Sequence, residues 1–134
     1  MSNTKATGVA YLDPEFSTCY ATEEIGYAAA AQGTVTQLTS KSTAVTLNKS
    51  SGRITLNNEA LAGNTAVSFT LNNTSISTND TIIVCISGGA TAAAYTTYIS
   101  SLAAGSAVVT LRNLTSGSLS EAVIINYAII HGAS

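Results

Sequence analysis

The chain has 134 residues, a formal net charge of −2, and only 9% charged residues, against about 25% in ordinary soluble domains. The five Lys and Arg residues are scattered, which excludes the basic stripe of a nucleic-acid-binding protein, and no apolar run has the roughly 20 residues of a membrane span. With so few charges, the polar surface must consist mainly of Ser, Thr and Asn, and copies repel each other weakly. Such a surface suits a protein that is held against other subunits, although a secreted or crowded monomer could also have it.

The first segment, residues 1–32, differs in character from the rest of the chain. It holds four of the seven acidic residues, the single proline and three of the six tyrosines, and it shows no period-2 alternation. A short helix over residues 21–31 and an extended arm both fit its Ala-rich end. We interpret residues 1–32 as an irregular N-terminal arm, either a docking segment or a partly disordered terminus.

After the arm, short β-branched runs alternate with Gly, Asn and Ser, a pattern that predicts strands joined by turns. In residues 66–72, for example, Phe69 and Leu71 share one face, which indicates a strand with one buried side. The segment 47–53 reads as a hairpin loop. The predicted strands cover residues 34–39, 43–47, 53–57, 66–72, 81–87, 95–100, 107–113 and 122–130. Residues 33–134 are therefore predicted to form an all-β, antiparallel β-sandwich of about eight strands, either jelly-roll or immunoglobulin-like.

Two of the predicted strands, residues 81–87 and 122–130, are apolar on both faces. Such a strand in a small sandwich needs a cover over its outer face, since an exposed apolar strand is an aggregation hazard. The cover would be either the arm or another copy of the chain. The last strand is therefore the strongest indication of a homo-oligomer, with Ile125, Tyr127 and Ile129 as candidate subunit contacts.

The two cysteines occupy different contexts. Cys85 lies inside an apolar run and is expected to be a small buried hydrophobic residue, whereas Cys19 lies in a polar stretch. We therefore expect free thiols rather than a disulfide. The first residues lead into no apolar signal core, so we expect synthesis in a reducing cytosol.

Candidate catalytic residues are few. His131 is the only histidine, and a Ser-His-Asp site would need it beside Asp13 or Asp80 together with an activated serine. Glu59 and Glu121 have the residue type of a glycosidase pair, but each is explained more simply as an acid that is solvated or paired with Arg53 or Arg112. One histidine and two distant cysteines do not supply a zinc site within one chain. The sequence predicts no enzyme, no metal and no cofactor.

Candidate contact residues are mainly aromatic, because aromatic side chains contribute large areas to interfaces. Those predicted to meet another subunit, besides the three on the last strand, are Tyr11, Phe16, Tyr20, Tyr27 and His131. For His131 the alternative is a cap at the end of the last strand. Tyr95 and Tyr98 form a weaker candidate platform for stacking on a sugar, since tyrosine is also an ordinary strand residue.

Several segments resemble a family of small β-sandwich proteins encoded by tailed bacteriophages. They are residues 33–49 (GTVTQLTSKSTAVTLNK), 52–62 (GRITLNNEALA), 67–74 (VSFTLNNT), 111–113 (LRN) and 117–130 (GSLSEAVIINYAII). The resemblance covers the sandwich and leaves out the arm. It implies a structural role in the virion, as a capsid decoration (cement) protein or a fibre protein, and no catalytic activity.

Composition and resemblance together predict a capsid decoration protein that binds the mature head as an oligomer and stabilises it. A trimer is favoured, with the major capsid protein or another virion protein as partner, and without nucleic acid or membrane. The expected location is the virion, after synthesis in the host cytoplasm. The alternative is a receptor- or glycan-binding fibre module.

Overall fold

The computed structural model describes residues 15–133, and within them the predicted all-β sandwich of eight strands is confirmed. A single turn of 3₁₀ helix at Ala29–Ala31 precedes the first strand, so the longer helix considered for residues 21–31 does not form. The strands are β1 (Gln32–Thr36), β2 (Val45–Thr46), β3 (Ser51–Thr55), β4 (Ala66–Asn72), β5 (Thr81–Gly88), β6 (Tyr95–Ala103), β7 (Ser106–Asn113) and β8 (Ile124–Ile130).

The strands form two four-stranded sheets. The first sheet has the order β1-β3-β8-β5, and the second has the order β2-β4-β7-β6. Four of the six strand pairs are antiparallel, whereas β1 pairs with β3 and β2 pairs with β4 in parallel. The predicted hairpin loop at residues 47–53 is wrong, because it connects β2 in one sheet to β3 in the other. Alternation alone does not reveal such a crossover.

The core lies between the two sheets and is built by the period-2 alternation of the strands. On β4, Phe69 and Leu71 point inward and meet the equally buried Val109 and Ala107 across the antiparallel pair. From the first sheet, the inward side chains include Ile54, Leu56, Val123, Ile125, Tyr127 and Ile129. Burial of these side chains from both sheets stabilises the sandwich through the hydrophobic effect.

The tight hairpin of the second sheet joins β6 to β7. Gly105 adopts φ +79° in this turn, a backbone conformation that glycine reaches without steric cost. Its N–H donates to the carbonyl of Ile76 at 2.9 Å, and its carbonyl accepts from the N–H of Asn73 at 2.9 Å. The turn is thereby tied to the loop between β4 and β5. Among residues 15–133, no helix has the length and apolar character to cross a membrane.

Candidate functional site

The outer face of the first sheet exposes apolar side chains on β5 and β8. Ile83 on β5 lies opposite Ala128 on β8, and Thr81 lies opposite Ile130. Ile83 is 54% exposed and Ile130 is 57% exposed. Ile83, Ala128 and Ile130 together define a surface that we call the β5–β8 apolar face.

The described part of the arm, residues 15–28, has no regular secondary structure. Every one of these residues is exposed. Four of them are large apolar or aromatic residues, with Phe16 60%, Tyr20 90%, Ile25 91% and Tyr27 38% exposed. Single exposed apolar residues are common, but a run of them along one extended segment is a mark of an interaction surface.

Three hydrogen bonds fix the base of the arm to the sandwich. The Tyr27 hydroxyl donates to the backbone carbonyl of Ile129, and the Gln32 side-chain amide donates to the carbonyl of Tyr27 at 3.0 Å. The Lys49 ammonium donates to the carbonyl of Ala30 at 2.9 Å. The arm therefore has a defined point of departure beside β8.

A cleft of about 440 Å³ separates the base of the arm from the β5–β8 apolar face. One wall is formed by Ile25 and Tyr27, and the other by the apolar face with the adjoining Ile129 and His131. The lining is predominantly apolar and open to solvent. A cleft of this kind can bind an apolar side chain of another chain.

The other half of the same outer surface is polar. A second cleft, of about 360 Å³, lies over β1, β3 and β8, and its lining includes Thr34, Arg53 and Asn126. Arg53 Nε donates to Asn126 Oδ1 at 3.3 Å. The first sheet therefore presents an apolar half beside the arm and a half that carries an exposed arginine.

The structure divides the predicted subunit contacts into two groups. Ile125, Tyr127 and Ile129 point inward and are buried in the core of the chain itself, so they have no exposed surface to offer a neighbour. The outward positions of β8 are instead those of the intervening residues, among them Ala128 and Ile130. The run of apolar residues could not show which of its two faces would be the inner one.

Tyr127 also has a polar role inside the core. Its hydroxyl donates to the carbonyl of Lys49 at 2.8 Å and accepts from the Asn73 side-chain amide at 3.3 Å. Burial raises the pKa of Tyr127 to about 12, because the phenolate would be poorly solvated there. This side chain anchors the loop after β2 to the last strand.

The predicted contacts in the arm are placed differently. Phe16 and Tyr20 are exposed, and Tyr27 is partly exposed and bound to the sandwich through its hydroxyl. Tyr11 lies outside the described residues. The arm and the β5–β8 apolar face therefore make up the candidate interaction surface of the chain.

His131 lies beside Asp80, one of the two aspartates considered for it. Its Nδ1 is 3.2 Å from Asp80 Oδ2, and the same carboxylate accepts from the backbone N–H groups of Ser77 at 2.8 Å and Gly132 at 3.1 Å. These hydrogen bonds, led by that of Ser77, hold the pKa of Asp80 below its ordinary value. The Ser77 hydroxyl bonds to this carboxylate at 3.1 Å, and not to the histidine as a nucleophile would. The contact joins the end of β8 to the turn before β5.

Glu59 and Glu121 bind loop residues and not the arginines that the sequence analysis considered as partners. Glu59 accepts a hydrogen bond from the backbone N–H of Lys41 at 3.0 Å. Glu121 accepts from the N–H of Thr91 at 3.0 Å and from its hydroxyl at 2.7 Å, and these bonds lower the pKa of Glu121. Both carboxylates therefore order loops.

A buried lysine, which the sequence analysis did not identify, lies between these loops. Lys41 is 1% exposed, and its ammonium donates to the carbonyl of Glu121 at 2.7 Å and to that of Asn57. Burial lowers the pKa of Lys41, against the opposing effect of the Glu59 and Glu121 charges. A buried lysine is rare unless its charge is compensated. Here backbone carbonyls bind the ammonium, and carbonyl positions leave no signal in a sequence.

Tyr95 and Tyr98 lie on opposite faces of β6 and do not form a joint platform. Tyr95 is buried, whereas Tyr98 is partly exposed. The Tyr95 hydroxyl is the one buried side-chain polar atom of residues 15–133 without a well-formed hydrogen bond. Burial, aided by the nearby Glu121 carboxylate, raises the pKa of Tyr95 to about 12. The pair cannot stack on one sugar together.

The cysteines are both free and exposed. The absence of a disulfide agrees with the sequence analysis, but the expected burial of Cys85 is wrong, because this residue lies on the outer face of β5. Within the described part of the chain, no three His, Cys, Asp or Glu residues cluster as metal ligands would. The exposed thiols at Cys19 and Cys85 lie in the arm and beside the β5–β8 apolar face.

No family model, curated protein or solved structure matches this chain.

Proposed function

We propose that this chain is a structural protein of a bacteriophage particle, a capsid decoration protein that binds the head as an oligomer. The observation that carries the proposal is the arm, in which Phe16, Tyr20 and Ile25 are exposed to water along one extended segment. The resemblance of the sandwich to phage proteins is the reason for proposing a bacteriophage particle. The arm supplies a means of joining copies into the oligomer that attaches.

The physical basis is the burial of these side chains on assembly. Transfer of one large apolar side chain from water to a packed interface contributes roughly 1.5–3 kcal/mol, so three of them favour a bound arm. A subunit that binds only the assembled shell stabilises the shell by mass action. Several copies joined in one oligomer add their contacts with the shell through multivalency.

The low charge of the chain supports the same proposal. With 9% charged residues, copies that stand side by side on a shell repel each other weakly. A closed cyclic oligomer is the usual form of such an assembly, and a trimer matches a threefold position of the shell. The proposed partner is the major capsid protein or another protein of the virion.

The test is rebinding of the purified chain to particles made without it. The full chain should sediment with such particles and raise the temperature at which they release their genome. A Phe16→Ser/Tyr20→Ser variant should lose most of this binding, because an arm with less apolar area to bury holds the copies together less tightly and single copies bind without multivalency. Leu38→Ser, at an exposed residue of the loop after β1, is the matched control and should bind like the unchanged chain. Equal binding of all three proteins would contradict a role of the arm in attachment, and no binding of the full chain would contradict the proposal itself.

A further inference from the structure

We infer that the arm of one copy covers the β5–β8 apolar face of a neighbouring copy. Both surfaces belong to the same chain, and both are exposed in the isolated molecule. This inference names the contact between copies of the proposed oligomer. It rests on the proposed function for the existence of that oligomer. It is tested on purified protein, without any particle.

The arm leaves the apolar face of its own sandwich uncovered. Ile25 lines the apolar cleft, yet it is 91% exposed. Ile83 and Ile130, on the other side of that cleft, also keep more than half of their surface exposed. The base of the arm therefore forms one wall of the cleft and leaves the β5–β8 apolar face exposed to solvent. An apolar side chain from elsewhere, such as Phe16 or Tyr20 of another copy, is needed to fill it.

The charges of the arm and of the sandwich also favour a second copy as the partner. Residues 15–28 carry three acidic and no basic side chains, whereas residues 29–133 carry four basic and three acidic ones. One of those basic groups, Arg53, is exposed on the outer face of the first sheet, the sheet that carries the apolar face. An acidic arm with aromatic residues therefore complements this sheet in both charge and polarity.

The stoichiometry of the two surfaces favours the same partner. Each copy supplies one arm and one β5–β8 apolar face, so a ring of copies joined head to tail satisfies every arm and every face. A different partner of complementary chemistry would have to cover both surfaces separately. A second copy covers both with a single repeated contact.

The two exposed thiols provide a direct probe. Cys19 lies in the arm between Phe16 and Tyr20, and Cys85 lies on the outer face of β5 two residues after Ile83. If the arm of one copy lies on the face of the next, Cys19 of one copy comes near Cys85 of the other. A short bis-maleimide should then join two copies.

The experiment uses full-length Cys19→Ser and Cys85→Ser variants, refolded separately and as an equal mixture. Each variant retains one thiol of the pair, so a link between Cys19 and Cys85 forms only in the mixture and only between copies. We expect a covalent dimer in the mixture well above that in either variant alone, with peptide mass spectrometry identifying the two cysteines. A mixture that yields no more dimer than the separate variants would overturn the inference. So would a wild-type chain that links Cys19 to Cys85 only within itself.

Light scattering supplies a second readout that does not depend on cysteine. The unchanged chain should have the mass of an oligomer, and Ile83→Asp should convert it to a monomer, because a charge on the covered face would be buried without a partner. Tyr98→Asp, on the exposed side of the second sheet, is the matched control and should keep the oligomer. A monomeric unchanged chain, or an oligomeric Ile83→Asp protein with a native circular dichroism spectrum, would overturn the inference. If a chain that gives either of these results still binds to particles, the decoration proposal stands and only the contact between copies is wrong. Failure of the inference is therefore distinguishable from failure of the proposed function.

Discussion

The Tyr27 hydroxyl donates a hydrogen bond to the backbone carbonyl of Ile129, and this contact fixes the place where the arm leaves the sandwich. Ile129 itself is buried in the core, so its carbonyl is a rigid acceptor. The arm is thereby attached beside the β5–β8 apolar face at one end, while Phe16 and Tyr20 stay exposed. The geometry suits a segment that reaches a neighbour.

Loss of this hydrogen bond should loosen the base of the arm without unfolding the sandwich. Tyr27→Phe removes a contact worth about 1 kcal/mol, which raises the detached population about fivefold. Chymotryptic cleavage after residue 27 should therefore be faster by that factor in the variant than in the unchanged chain, because cleavage needs local detachment. Each rate is divided by the rate for a free peptide of the same sequence. Cleavage after Tyr20 should not change, and Tyr98→Phe is the control variant. An unchanged rate after residue 27 would show that the hydrogen bond does not hold the arm.

The core of the sandwich predicts a large effect at Phe69. This side chain is 2% exposed and lies opposite Val109, so Phe69→Ala should lower the free energy of unfolding by about 3–5 kcal/mol through the cavity that it leaves. Urea unfolding followed by circular dichroism measures the loss. Leu114→Ala, at a half-exposed position after β7, should cost far less. Similar losses in the two variants would contradict the assigned faces of β4.

How far the sequence predicts this fold is clear from β4 and β5. The strict alternation around Phe69 predicts both the bounds of β4 and its buried face, since only one face of that strand is apolar. On β5 both faces are apolar, so the pattern predicts a strand but not its orientation, and Cys85 was assigned to the wrong side. The parallel pairing of β1 with β3 depends on contacts between segments far apart in the chain, which local periodicity does not encode.

The candidate site was predictable to a similar degree. The composition of the arm indicated Phe16 and Tyr20 as contact residues, because aromatic residues stand out in a segment without strands. The β5–β8 apolar face was recognised only as a pair of doubly apolar strands. Which of their side chains stay exposed depends on packing between the two sheets.

Lys41 predicts an unusual pH dependence of stability. Burial lowers its pKa in the folded state, so between that lowered value and the ordinary value of 10.5 the unfolded chain binds more protons. Stability should therefore rise with pH in this window, up to about pH 10, where the raised pKa of Tyr127 begins to oppose it. Urea unfolding from pH 7 to pH 10 measures the slope.

The same lysine predicts the behaviour of a neutral variant. Lys41→Met should remove the rise with pH and should cost about 1–3 kcal/mol at pH 7, because the carbonyls of Asn57 and Glu121 lose their buried donor. Lys49→Met, at the base of the arm, is the control and should keep the rise. A slope that survives in Lys41→Met would assign the titration to another group.

Asp80 is expected to contribute to the fall of stability at acidic pH. Its pKa is held below the ordinary value of 3.8, so its contribution is present above that pH and is lost as the pH falls through the lowered pKa. Asp80→Asn should lower the urea midpoint at pH 7 and flatten the fall in stability below pH 4. His131→Ala, which leaves the Ser77 hydrogen bonds in place, should have a smaller effect. An unchanged acid limb in Asp80→Asn would contradict the role of this carboxylate in joining β8 to β5.

The most direct test of the proposed function is immunogold labelling of intact source virions with an antibody to this chain, with grains counted over heads and tails. We expect dense, regular labelling of the head, because a decoration protein is present in many copies. Sparse labelling confined to the tail or to fibre tips, or the absence of label from every particle, would contradict the proposed function.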